Sequence, residues 1–372
     1  MMKKTVLFAG IMMATVLIYQ MYENRLTVDH TFDMVLSNNV GSAKNIVKEK
    51  DLLDYIVAPE VQKPKDLKIL AFGDVMLGRY VRTLMDKNGK DYVFSGLDWE
   101  NMTADYDVVH ANLEGPINGK GKSGGTAMNF AFNQDVGPFL KEKGFTVVSI
   151  ANNHALDAGW DARNETMDVL SNSGVGFCGH PTEAALDSVY FGENDDGTEY
   201  AFVCFHDVGN ILDKDDALEL IKKVKPDVDY LIVSIHWGIE YKNTPSKRQV
   251  EFGHAFVDAG ADFVIGHHPH VVENFEIYNG VPIFYSLGNF IFDQYWAQSV
   301  QKELALGIEM GPDPISGQLI YRIELIPMKS ESSKSRLMND AESKKWLEEF
   351  IKYGNYDDAM KEMIRSKEIR IL

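Results

Sequence analysis

Cysteine is scarce, with two residues in 372, Cys178 and Cys204. That excludes a disulfide framework and a four-thiolate zinc site, and leaves room for one optional bridge. Positive charge is also short, with 37 Lys+Arg against 55 Asp+Glu and a net charge of −18. The basic residues are dispersed, so no face can follow a phosphate backbone, and nucleic acid is excluded as a partner. Internal repeats and low-complexity tracts are absent. What is present, 45% hydrophobic and 11% aromatic residues, is the composition of an ordinary packed protein with a sizeable core.

Long apolar runs are equally rare. The exception is Thr5 to Tyr22, preceded by Lys3 and Lys4, which at about 1.5 Å per residue just spans a hydrocarbon core. A buried core helix is the alternative, but the run is apolar all round and lies at the extreme terminus. No small-x-small cleavage site follows it, so residues 1–22 are expected to be a retained signal anchor, a single membrane-spanning helix. The lysines place the N-terminus in the cytoplasm and the bulk of the chain outside the cell membrane. Residues 23–65 are polar and end in a stretch with Pro59 and Pro64, the text of a stalk and stiff linker.

From Leu67 a pattern recurs in which a short β-rich apolar run is followed by Gly, Asn, Asp or His. The runs lie at 67–72, 107–111, 146–150, 200–205, 230–235 and 263–265. Near-continuous apolar strands imply cover on both faces. Helix-like stretches intervene at Ala155–Ser171, Asp215–Val224 and Ser246–Ala259, the last stopping at Gly260 as a C-cap should. Beyond them, Asn279-Gly280 between two β-rich runs signals a hairpin, and two more strands follow. The expected fold is α/β, a layered β-sandwich of mixed sheets flanked by helices, over residues 66–330. A charged helical tail over 331–372 would dock one face through Trp346, Phe350 and Ile351.

The polar clusters carry the chemistry. They are Asp74 in AFGDVMLGR, Asn112 and Glu114 in ANLEGP, Asn153 and His154 in ANNHALDAG, His236 in SIHWGIEY, and His267, His268 and His270 in GHHPHV. Taken singly, Asp74 reads as a turn residue, Asn153 as a helix N-cap and His236 as a structural histidine. Together they read differently, because strand carboxyl ends in α/β sheets converge on one crevice. Four of the ten histidines stand at the ends of two such runs. Oxygen and imidazole donors without thiolate describe a site for a divalent metal such as manganese, iron or zinc, with enough ligands for two ions. His110 and His206 have no such partners in sequence, and His30, His180 and His254 read as surface or packing residues.

The ordered motifs GDVMLGR, NLEGP, NNHALDAG, HWGIEY, GHHPHV and YSLGNFIFD resemble the CapA family, associated with bacterial poly-γ-glutamate capsule synthesis and similar to the calcineurin-like metallophosphoesterases. The resemblance covers Leu67 to Met328 and implies a metallophosphoesterase-like fold with a metal site at strand C-terminal ends. It also implies roles. Asp74 would bind the first metal, Glu114 or Asn112 would bridge the metals, and Asn153 would bind the second. His236, His268 and His270 would complete the set, with either His267 or His268 as the inner ligand, while His154 would protonate a leaving group or steady the transition state. Two departures stand out: Met76 replaces the histidine of the phosphoesterase Asp-x-His pattern, and Glu114 replaces an aspartate.

Three functions follow as expectations. The first is an anchored, extracytoplasmic metal-dependent hydrolase or transferase acting on γ-glutamyl amide bonds of an anionic cell-envelope polymer or its precursor, beside a membrane synthase complex. The second is a metal-dependent phosphoesterase, and the third a non-catalytic component of polymer export or synthase scaffolding. Metal would activate water while His154 handles the proton. Arg79 would either hold a substrate carboxylate or phosphate or form a surface salt bridge, and Asp157 would orient a ligand histidine. Glu240, Tyr241, Asn289 and Asp293 are weaker candidates for the pocket wall.

Overall fold

Strand β1 (Leu67–Val75) shows how the apolar runs are used: Leu67, Ile69 and Ala71 are buried in one cluster, Leu70 and Phe72 in another. Side chains alternate across a strand, so a run apolar at every position must be covered on both faces. The computed structural model describes residues 66–119 and 129–372, which fall in one compact unit. The expected anchor and stalk lie outside the described residues, and among those described no helix is long and apolar enough to cross a membrane.

The remaining strands are β2 (Val108–Leu113), β3 (Val147–Ser149), β4 (Gly176–Cys178), β5 (Val189–Glu193), β6 (Glu199–His206), β7 (Tyr230–His236), β8 (Phe263–His267), β9 (Phe275–Tyr278), β10 (Val281–Phe284), β11 (Asn289–Ile291), β12 (Lys302–Pro312), β13 (Leu319–Glu331), β14 (Lys334–Leu337) and β15 (Glu368–Ile371). One mixed sheet runs β14-β13-β12-β1-β2-β3-β4, with β11 paired to β1 and β15 to β13; the second runs β5-β6-β7-β8-β10-β9. Their facing sides share one core, in which Ile69, Val108 and Val147 meet Phe202, Ile232 and Ile265. Cys178 on β4 and Cys204 on β6 form a disulfide between the sheets, with Cα atoms 5.4 Å apart.

Outside the first sheet, Val81 and Met85 of helix Arg79–Asn88, Phe139 and Leu140 of helix Val136–Glu142, and Leu170 of helix Trp160–Ser173 close a second core. Outside the second sheet, Ile221 of helix Lys214–Val224 and Phe252 and Phe256 of helix Lys247–Ala259 close a third. The layers are therefore helix, sheet, sheet, helix, the expected sandwich flanked by helices. The hairpin turn lies between β9 and β10, where Asn279 and Gly280 both have positive φ, 49° and 83°, as a tight two-residue turn requires.

Two expectations change. The helix expected from Ala155 begins at Trp160 after Gly159, whose φ is 84°. Residues 152–158 form turns instead, and Asn153 caps no helix. The boundary at residue 330 falls inside β13, and the segment beyond it is more than a helical tail. Helix Asp340–Phe350 buries Trp346, Leu347 and Phe350 in the central core, and β15 pairs antiparallel with β13 from Tyr321↔Ile371 to Glu324↔Glu368. An apolar helix stripe and an unpaired strand both need cover, and the first sheet supplies it to both.

Candidate metal centre

The parallel strands of both sheets deliver their carboxyl ends to one region. Asp74 ends β1 in register with Asn112 on β2, and His236 on β7 is in register with His267 on β8. Two glycines permit the close approach. A Cβ on Gly73 would lie 1.9 Å from the carbonyl oxygen of Gly288, and one on Gly266 would lie 1.9 Å from that of Tyr285. The strand β1 also slips register beside Asp74, a bulge that re-aims a side chain. Past β8 the backbone is strained: His268 and His270 have φ of 97° and 57°, conformations that L-residues adopt only when the surroundings impose them.

Asp74, Glu114 and His236 each place a donor atom so that all three lie within 4.8 Å of one another, and all three are buried. The Asn112 amide donates to Asp74 Oδ1 at 2.8 Å and contacts His236 Nδ1 at 3.2 Å, while His236 Nε2 lies 2.8 Å from Asn153 Oδ1. His270 sits between the carboxylates, with Nδ1 3.3 Å from Asp74 Oδ2 and Nε2 3.6 Å from Glu114 Oε1. His268 donates its backbone N–H to Asp74 Oδ2 at 3.3 Å and holds its ring 4.8 Å from that of His236. His267 is fully buried, with Nδ1 3.6 Å from Asp74 Oδ1 and its ring 6.0 Å from that of His110. Met76 is buried, and its sulfur accepts the Gly78 N–H.

The donor set fits a divalent cation. Both Glu114 carboxyl oxygens and His268 Nδ1 are buried with no hydrogen-bond partner among the described residues, a state that costs free energy unless something positive is shared between them. Burial, and then the Asp74 charge, push the Glu114 carboxyl well above its usual range against the opposing pull of His270. Asp74 goes down, because the hydrogen bond and charge of His270, with His267 and Asn112, outweigh its burial. His270 would be lowered by burial, but Glu114 and Asp74 raise it to about 9. Burial drops His267 to about 4 and His268 to about 3, so both present neutral rings, the form that binds metal. Asp74, Glu114, Asn112, His236, His268 and His270 surround one locus, with Asn153 at its edge through His236 and with His267, whose two ring nitrogens also lack a hydrogen-bond partner among the described residues, against Asp74.

His154 is held from two directions. Its Nδ1 lies 2.7 Å from Asp157 Oδ2, and its ring stacks on Phe130 at 3.8 Å between centroids. Its Nε2 lies 3.7 Å from Glu114 Oε1. Asp157 thus orients His154, not a ring of the metal set. The Arg79 guanidinium pairs with Asp293 through Nε at 3.2 Å and through Nη2, and lies 4.8 Å from the Phe130 centroid. Its side chain is 14% exposed, so this is a half-sheltered pair beside the site.

Of the weaker candidates, Asn289 contacts His270 Nδ1 at 3.0 Å and the Tyr241 ring lies 6.2 Å from His270. Sequence reasoning missed Asn152, whose amide donates to Asn112 Oδ1 at 3.2 Å and to the Leu113 carbonyl at 2.9 Å. Its signal was its place in the same Asn-Asn-His run. Phe130 carried no signal, since an apolar residue after an unpatterned stretch of sequence looks like any other.

The comparisons with known proteins agree on one family. A family model described as "Bacterial capsule synthesis protein PGA_cap" matches residues 68–294. The "PGA biosynthesis protein CapA" of Bacillus subtilis (strain 168) is 34% identical over 244 residues, 61% of this chain and 63% of that protein. The "Capsule biosynthesis protein CapA" of Bacillus anthracis is 34% identical over 272 residues, 67% of this chain and 65% of that protein. A "Probable polyglutamine synthesis accessory protein" of Mycobacterium tuberculosis is 27% identical over 353 residues, 77% of this chain and 91% of that protein. The matches span somewhat less than two thirds of the length of the two Bacillus relatives.

Proposed function

This chain belongs to the bacterial capsule synthesis family, and from that premise we propose that it is a divalent-metal-dependent hydrolase or transferase acting on γ-glutamyl amide bonds of an anionic cell-envelope polymer or its precursor. The observation that carries the reading is Glu114, its two buried oxygens without a hydrogen bond beside Asp74, His236 and His270. Asp74, Glu114, Asn112, Asn153, His236, His268 and His270 would hold the metal, and the set is large enough for two ions. Bound there, a divalent cation supplies Lewis-acid polarisation and lowers the pKa of water. His154 donates through Nδ1 to Asp157, which leaves the Nε2 lone pair on the Glu114 side to take a proton from the attacking nucleophile and then return it to the departing amine. Phe130 keeps water from one face of that ring, and the Arg79–Asp293 pair lies behind Phe130.

The reading includes a place. The apolar run at residues 1–22 would anchor the chain with its folded part outside the cytoplasm, beside a membrane synthase complex. The Cys178–Cys204 disulfide supports that side of the membrane, because such bonds persist in oxidising compartments. A net charge of −18 repels a polyanion at long range, so the metal would be the local feature that offsets the field, since the Arg79 guanidinium is already paired with Asp293.

The test is to reconstitute the full chain with manganese, iron or zinc, count metal per chain, and compare it with the His268→Ala plus His270→Ala double variant. The proposal requires metal in the wild type, its loss in the variant, and turnover of γ-glutamyl amides. Turnover of phosphate esters alone would replace it with the phosphoesterase reading. Metal-free protein after reconstitution, or metal without turnover of either class, would leave a non-catalytic component of polymer synthesis or export.

A further inference from the structure

Strands β6, β7 and β8 are parallel neighbours in a register that sets His206 against His236 and His236 against His267. In-register residues on neighbouring strands project to the same face, so three histidines stand in a row along the edge where the metal donors collect. His206 is 7% exposed, and its ring lies 6.1 Å from that of His236. It is also within electrostatic reach of His154 and His268. None of the motifs that point to the site includes it.

The hydrogen bonding of His206 is lopsided. Its Nδ1 lies 2.6 Å from the Pro181 carbonyl oxygen, while its Nε2 is buried with no hydrogen-bond partner among the described residues. A carbonyl can only accept, so Nδ1 carries the proton and Nε2 carries a bare lone pair. That is the arrangement of a metal-ligating histidine, whose other ring nitrogen donates to a backbone carbonyl that fixes tautomer and orientation. The neighbouring residue locks the strand end in place. The Asp207 carboxylate takes both Arg248 Nε at 2.6 Å and Nη2 at 2.8 Å, and the Asp207 N–H donates to the His236 carbonyl at 2.8 Å. Asp207 is therefore fully engaged elsewhere, and the orphan nitrogen needs another partner.

We infer that His206 is a further ligand of the metal centre, binding through Nε2 on the side of His236 and His268. This rests on the proposed metal site and adds a donor to it.

The experiment uses the full chain and Zn(II) or Mn(II) alone. His206→Asn keeps a donor for the Pro181 carbonyl, because the asparagine amide stands near where Nδ1 stood, and it removes the Nε2 lone pair. The expected result is loss of one metal equivalent by elemental analysis, or metal affinity at least ~10-fold weaker by calorimetry, with the metal-free melting temperature close to wild type. X-ray absorption at the zinc edge should show a lower imidazole count in the variant. His206→Gln, which returns a donor oxygen near the Nε2 position, should recover part of the affinity and serves as the second variant if the first folds poorly. Stoichiometry, affinity and imidazole count equal to wild type in both variants would overturn the inference and leave the centre standing. A wild type that binds neither metal would overturn the inference and the metal reading together.

Discussion

At the scale of single residues the site is two charge problems set side by side. Glu114 and Asp74 are carboxylates buried within reach of each other, and His270 stands between them, its ring raised to about 9 by their charges as long as no metal is bound. His154 is a different matter, since its use depends on orientation. Asp157 holds its Nδ1 and Phe130 its face. Asp157→Asn should therefore lower turnover by about 10²-fold while metal content stays at the wild-type level, because no atom of Asp157 is among the proposed metal donors. A parallel loss of metal in that variant would show the residue acting on the centre itself. Most of the residues that the fold gathers here were legible because Asp, Asn and His after apolar runs are chemically conspicuous. Phe130 and Asn152 were not, since their work is contact and positioning, and nothing in residue type announces either. His206 followed its apolar run like the rest and was passed over for want of a neighbour in sequence. Its neighbour, His236, is across a strand.

At the scale of elements the site depends on strands approaching more closely than side chains allow. Gly266 immediately precedes the histidine run, and a methyl group there would collide with the Tyr285 carbonyl and the Trp237 indole nitrogen. Gly266→Ala should cost about 3 kcal/mol or more and lower metal affinity in step, read by denaturant melts with and without zinc. Unchanged stability would mean that β8 and β10 can separate freely. The turn from β8 into β9 carries a second liability. Burial pushes the Glu273 carboxyl up from 4.5 to about 8, against the pull of the Gln249 amide. The folded chain thus keeps a proton that the unfolded chain releases above about pH 4.5. The stability linked to that proton is whole below this range and is lost as pH rises through about 8. Between pH 5 and pH 8 the melting temperature of the wild type should fall further than that of Glu273→Gln, and equal slopes would sink the assignment. Long strands and capped helices were legible in sequence. The three-residue strands β3, β4 and β11 differ in this respect. Only β3 lies in a long enough apolar run, whereas β4 and β11 are strands because a neighbour pairs with them.

At the scale of the whole molecule, two sheets share one core and one covalent tie. The Cys178–Cys204 bridge closes a span of 26 residues and joins sheet to sheet, worth about 3 kcal/mol in the chain-entropy account. Reduction, or the Cys178→Ala plus Cys204→Ala variant, should lower the melting temperature by several degrees without changing metal content, and no shift would mean that packing alone sets the sheet separation. The sequence by itself determined the class of fold, the bounds of most strands, the family and the chemical kinds of donor, because all of these are written in local patterns of apolar runs, caps and polar clusters. Only the tertiary structure decided that residues after 330 complete the first sheet, that the His268 ring comes to lie beside that of His236, and that His206, His236 and His267 stand in one row. Those outcomes depend on strand order and register. Both are fixed by which surfaces bury one another across long separations in the chain, a condition that no local stretch of sequence expresses.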